Sequence, residues 1–91
     1  LDYSTVALII SDEHAAIIRA IEEKLDRGVT ILDGHGGYSG APKQVLLCAI
    51  RRRQVPQLKD LVRAIDPDAF VILQEAHQVL GEGFRRNGDE M

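Results

Sequence analysis

The sequence predicts an α+β domain in which strands and helices follow one another as β-α-β-β-α-β. Two apolar stripes at helical spacing, Ile17, Ile18, Ile21 and Leu25, then Leu58, Leu61, Val62 and Ile65, mark two amphipathic helices. Four short runs rich in β-branched residues, at 5–10, 29–33, 44–50 and 69–73, surround them. Between the second and third runs lies GHGGYSG, which has no helical pattern and joins those two strands as a long-looped antiparallel hairpin.

Taken in order, TVALII at 5–10 suits a central strand with both faces at least partly covered. Ser11 offers a side-chain oxygen to cap the first helix, and Asp12 and Glu13 place negative charge at its N-terminus, where the helix dipole favours it. The helix is expected to end at Gly28, a residue suited to the left-handed terminating position. Strands at 29–33 and 44–50 follow, and Pro56 fits the first turn of the second helix. Asp66-Pro67-Asp68 stops that helix, because a residue before proline avoids the helical region. AFVIL at 69–73 is the fourth strand. The segment 75–84 carries Val79, Leu80 and then Gly-Glu-Gly-Phe, consistent with a helical turn or a fifth edge strand, and residues 85–91 are expected to fray. This order is that of the ferredoxin-like fold, a four-stranded antiparallel sheet with both helices on one face.

Such a fold leaves one sheet face without a helix layer. The strand runs place Leu8, Ile10, Leu46, Cys48, Phe70 and Ile72 at one parity and Val6, Ile9, Val45, Leu47, Val71 and Leu73 largely at the other. Both faces therefore read as apolar, and the second is expected to be covered by another subunit, with the tail a lesser contributor.

The chain has 91 residues, and one ferredoxin-like domain over 1–91 is expected, with its ordered core at about 5–84. With 11 Lys and Arg against 14 Asp and Glu, the net charge is −3, which does not favour nucleic acid or an anionic membrane surface as a partner. The lone Cys48 sits in an apolar run and reads as a buried, inert thiol in a reducing compartment. No apolar run reaches transmembrane length, and a start at Leu1 reads as a piece excised from something longer.

Five motifs in sequence, LIISD, RGVTILDGHGGYSG, a hydrophobic strand ending in RRR, VPQLKDLVRAIDPDAFV and VLGEGF, resemble the cytoplasmic C-terminal domain of the YitT family of bacterial membrane proteins. The resemblance runs from residue 6 to 84, and the family's domain has no assigned activity. It implies a ferredoxin-like, PII-like fold, covalent attachment to a transmembrane region, a position on the cytoplasmic side of the cell membrane, and assembly as a homo-oligomer, a trimer in PII proteins. It also implies small-molecule binding near the loop between the second and third strands, where Gly34 to Gly40 lie. One departure is Gln54, where family members carry a glutamate.

The candidate ligand-binding residues are Gly34, His35, Gly36, Gly37, Tyr38, Ser39 and Gly40 in that loop, Arg51 and Arg53 at the end of the third strand, and Glu82 and Phe84 in the tail. Glycines at this density can offer backbone N–H groups as a cradle for an anion, or can simply form a flexible turn. Tyr38 offers a ring face, and Arg51 to Arg53 suit phosphate geometry or pair with neighbouring carboxylates. The expected ligand is a small anionic metabolite or nucleotide; the alternative is an oligomerisation or docking module with no ligand. His14, His35, His77 and Cys48 match no metal-binding spacing, so neither a metal nor a cofactor is expected. Acylphosphatases use the same scaffold with an arginine and an asparagine around a phosphate loop. The only asparagine here is Asn87 in the tail, and no catalytic set can be placed, so the chain is not expected to be an enzyme.

Overall fold

The computed structural model describes residues 3–77 and 79–81. Strand β1 (Tyr3–Ile10) leads into helix α1 (His14–Ala20), whose last turn, Ile21–Leu25, widens to a π turn. Strands β2 (Thr30–His35) and β3 (Pro42–Arg51) form the hairpin, and a 3-10 turn (Arg52–Gln54) passes into helix α2 (Val55–Ile65) and strand β4 (Phe70–Glu75). The sheet order is β2-β3-β1-β4 and every pair is antiparallel. Each helical crossover skips one strand, which gives the expected ferredoxin-like topology.

The helix ends follow local chemistry. Ser11 Oγ accepts the Glu13 N–H at 2.9 Å and donates to the Asp66 carboxylate beyond the end of α2. It closes the turn before α1 and does not cap the helix as expected, because the helix starts two residues later, with Glu13 at its N-cap and no side-chain cap there. One buried hydroxyl thus ties the two helix-bearing ends of the core together. Asp66 is extended before Pro67, as expected, and its other oxygen accepts the Asp68 N–H at 2.9 Å. The end of α1 differs from expectation. The π turn stops the helix at Leu25, so Asp26 and not Gly28 takes the left-handed position, with φ 56°. A short polar side chain tolerates that conformation better than a bulky one.

The helices cover one face of the sheet. Ala7, Ile9, Leu46, Cys48 and Ile50 pack against Ile17, Ile21, Leu25, Leu58, Leu61 and Val62 in a single buried core, with Val71 and Leu73 partly buried against it. Register sets the division. Ile9 stands opposite Leu46 and Val71, and Ala7 opposite Cys48 and Leu73, so these share the helix face. Leu8 stands opposite Leu47 and Ile72, and Ile10 opposite Val45 and Phe70, on the other. The parity sets read from sequence are therefore regrouped. Val6 leaves Ile9 for the face of Leu8 and Ile10, since side chains alternate along β1. Leu46 and Cys48 change places with Val45 and Leu47, because register between strands is not encoded in any one strand, while Val71 and Leu73 stay with Ile9 in the core. Both faces remain apolar. On the open face Phe70 is 58% exposed and Leu32 and Ile72 over 40%, while Val6, Leu8, Ile10, Val45 and Leu47 are half-buried.

Candidate functional site

The hairpin tip is a compact, internally bonded turn. Gly34 and His35 belong to β2, paired with Lys43 and Pro42, so the turn proper is 36–41. The Gly36 N–H donates to Ala41 O at 2.8 Å, the Gly40 N–H to Gly36 O at 2.9 Å, and the Ala41 N–H to Ser39 Oγ at 3.1 Å. Two glycines fit the turn: Gly40 adopts φ +72°, a conformation that favours glycine, and a Cβ on Gly36 would lie 2.9 Å from Ser39 Oγ, so that hydroxyl would have to shift. Tyr38 points fully into solvent at the apex. Among the described residues, the N–H groups of Gly37, Tyr38 and Ser39 have no acceptor.

The arginine cluster lies at the far end of β3. The ten residues of β3 carry the chain about 30 Å at ~3.3 Å per residue, so Arg51 and Arg53 do not share one site with the tip of the same chain. Arg52 forms an exposed ion pair with Glu75 at 3.5 Å, and Arg53 is exposed in the 3-10 turn. Gln54 bridges two elements: its Oε1 accepts the Arg51 N–H at 2.9 Å and its Nε2 donates to Leu25 O at 3.0 Å. A glutamate cannot make the second bond, so an amide here fastens the end of β3 to the end of α1. Glu82 and Phe84 lie outside the described residues.

A groove of about 750 Å³ opens where β1 and β2 begin, bordered by Tyr3, Val6, Arg27, Thr30, Leu47 and Ala49, with Val79 to Gly81 of the tail along one side. Those tail residues are irregular, neither a helical turn nor a fifth strand. β2 starts opposite Leu47, leaving β3 without a strand partner on that side at Ala49. Arg27 fills the gap: its Nε donates to Ala49 O at 2.9 Å and its Nη1 to the Tyr3 hydroxyl at 3.0 Å. The Arg27 guanidinium carbon is 4.1 Å from the Tyr3 ring centroid and that of Arg51 is 4.9 Å from it. Arg27 is the first residue of the glycine-rich motif, and nothing in the motif marks its role, since its partners Tyr3 and Ala49 lie on two distant strands.

Cys48 is buried as expected, and burial pushes its thiol up from about 9 to about 11, against a smaller opposing pull from Arg27. The folded state thus favours the neutral thiol. Its contribution is fully present below pH 9, where the thiol is neutral in both states, and is lost as pH rises through 11 and the unfolded chain gains ionisation first. Over that window the shift corresponds to about 2–3 kcal/mol. In urea titrations from pH 8 to 11.5, wild type is expected to lose that much more stability than Cys48→Ala. Equal alkaline slopes would show that the thiol does not titrate in this way. Among the described residues no three His, Cys, Asp or Glu side chains converge to hold a metal, and no helix is long and apolar enough to cross a membrane.

Residues 27–81 match the family described as "Uncharacterized protein conserved in bacteria (DUF2179)". An "Uncharacterized protein in cccA 5'region" of Bacillus sp. strain PS3 is 50% identical over 86 residues, which are 94% of this chain and 57% of that protein. The UPF0750 membrane protein YvjA of Bacillus subtilis is 42% identical over 91% of this chain and 30% of its own length. The resemblance to YitT is borne out directly, at 27% identity over 75 residues of UPF0750 membrane protein YitT from the same organism. The chain thus spans a little over half of the first of these relatives and under a third of the other two. The crystal structure of a DUF2179 protein from Eubacterium ventriosum superposes with a TM-score of 0.70 at 32% identity, covering 80% of this chain and all of that one. A functionally unknown protein from Pediococcus pentosaceus, 16% identical, shares the fold at a TM-score of 0.67, covering 86% of this chain and 95% of its own. Motifs, topology and relatives agree that the chain belongs to the DUF2179 family.

Proposed function

We propose that this chain is the cytoplasmic regulatory module of a multi-spanning membrane protein, and that it works by self-association, without chemistry of its own. Copies pack through the open faces of their sheets, as a trimer, and a small anionic metabolite or nucleotide at the hairpin tip biases that packing. The observation that carries the reading is the open face itself. Phe70, Ile72 and Leu32 are each more than 40% exposed and continuous with Leu8, Ile10, Val45 and Leu47. Such a patch on a small domain marks an interaction surface. Its paired rows hold no charged side chain from Ile10 to Val6, only Thr30 and Gln74 as polar members, as expected of the centre of an interface.

Attachment to a membrane protein is supported by the relatives named UPF0750 membrane proteins, in which the matched part is under a third of the length. The ligand response is supported by the three adjoining N–H groups at the tip, beside an exposed ring, and by Gly37, where neither backbone angle nor space requires a glycine. Binding there shifts populations among packed states. Sedimentation equilibrium tests the assembly. The expected mass is about 30 kDa, three times the 10.1 kDa chain, the trimer that the PII-like resemblance implies. A single-chain mass at several hundred micromolar would overturn the reading.

A further inference from the structure

The groove at the start of β1 and β2 is the second place where the fold concentrates unusual chemistry, and the hairpin tip plays no part in it. Its volume, about 750 Å³, lies in the range of small-molecule sites. Val6, Val29 and Leu47 supply apolar wall, and Arg27 supplies charge. That guanidinium is half-buried and held in place by the Ala49 carbonyl and the Tyr3 hydroxyl and ring. Among the described residues no carboxylate lies within ion-pair distance of it. Arg51 brings a second positive charge to the same ring. Glu22 and Asp26 also border the groove, but both are exposed and screened by water, whereas Arg27 is fixed and shielded.

We propose that this groove binds a small organic oxyanion, a carboxylate or phosphate on a flat or apolar body, with Arg27 as its charge partner. The pre-positioned guanidinium offers its remaining N–H groups in a planar fork, the geometry both oxyanions accept. The body lies against Val6, Val29 and Leu47, where the tail residues Val79 to Gly81 flank it. The groove shares Val6 and Leu47 with the open sheet face, so occupancy is felt at the surface proposed for assembly.

The test uses the full 91-residue chain, labelled with ¹⁵N and titrated with phenyl phosphate, benzoate and the neutral benzamide. Either anion is expected to give saturable shifts at the amides of Gly28, Thr30 and Ala49, at least about tenfold tighter than benzamide, since a charge-assisted bond is lost with the neutral probe. A response to phenyl phosphate alone or to benzoate alone identifies the headgroup. Arg27→Gln is expected to remove that preference and Arg27→Lys to retain part of it, while Lys59→Gln, on the exposed side of α2 and away from the groove, leaves it unchanged. No saturable shift with either anion, equal binding of benzamide, or unchanged binding by a folded Arg27→Gln would overturn the proposal. Shifts confined to 36–41 would also overturn it, while supporting a site at the tip.

Discussion

Replacing Ile9 by alanine is expected to lower the stability of the domain by about 2–5 kcal/mol, the range for emptying a fully buried aliphatic site. Ile9 is completely buried on the central strand, opposite Leu46 on one side and Val71 on the other. It packs in the one core that both helices share with the sheet. The cavity has little scope to collapse, because β1 is held in register on both edges. For a domain whose total stability is of the order of 5–15 kcal/mol, this removes a large share. Urea denaturation followed by circular dichroism measures it as a lower midpoint at unchanged slope. Leu32→Ala, on the exposed edge strand, provides the contrast, with a loss below about 1 kcal/mol. Similar losses at both positions would mean that the helix-facing side is not where the core lies.

The converse substitution, Ile72→Glu, is expected to spare the fold and abolish assembly. In the isolated chain Ile72 is 43% exposed on an edge strand, so a glutamate there remains hydrated. In an assembly joined through open faces, every copy would place one uncompensated carboxylate in the interface. Burying such a charge costs about 3–5 kcal/mol, which corresponds to a weakening of more than 100-fold for each interface that holds one. Sedimentation should find single chains for Ile72→Glu at concentrations where wild type associates, with an unaltered circular dichroism spectrum. Lys59→Glu, on the exposed side of α2, should change neither property. If Ile72→Glu assembles like wild type, the contact surface lies elsewhere.

What the sequence made legible is what periodicity and local chemistry control. The stripe Leu58, Leu61 and Val62 announced α2 and its buried side, and the residue before Pro67 announced its end. Ser11 was readable as a turn-forming hydroxyl near the start of α1, but neither the later start of the helix at Glu13 nor its bond to Asp66, 55 residues away, was. The sheet's two faces were legible as apolar but not in their membership, since whether Leu46 or Leu47 stands with Ile9 depends on register across strands. Asp26 displaced Gly28 as helix terminator because a π turn altered the phase, and residue preference alone does not report that. Arg27 was invisible as a site residue for the same reason as the register: its meaning comes from Tyr3 and Ala49, which only the folded sheet brings beside it. The arginine run was legible at the far end of the third strand from the glycine loop, but that the ten-residue strand is too long for the two to share one site in the same chain came only with its observed length.

The most direct measurement of the central claim, that copies meet through their open sheet faces, is an isotope-filtered NOE experiment on a mixture of ¹³C-methyl-labelled and unlabelled chains. The structure predicts intermolecular NOEs from the methyl groups of Leu8, Leu47 and Ile72, with none from Ile17, Ile21 or Leu58 in the core. Intermolecular NOEs that arise only from exposed helix residues, or their absence at millimolar concentration, would contradict it.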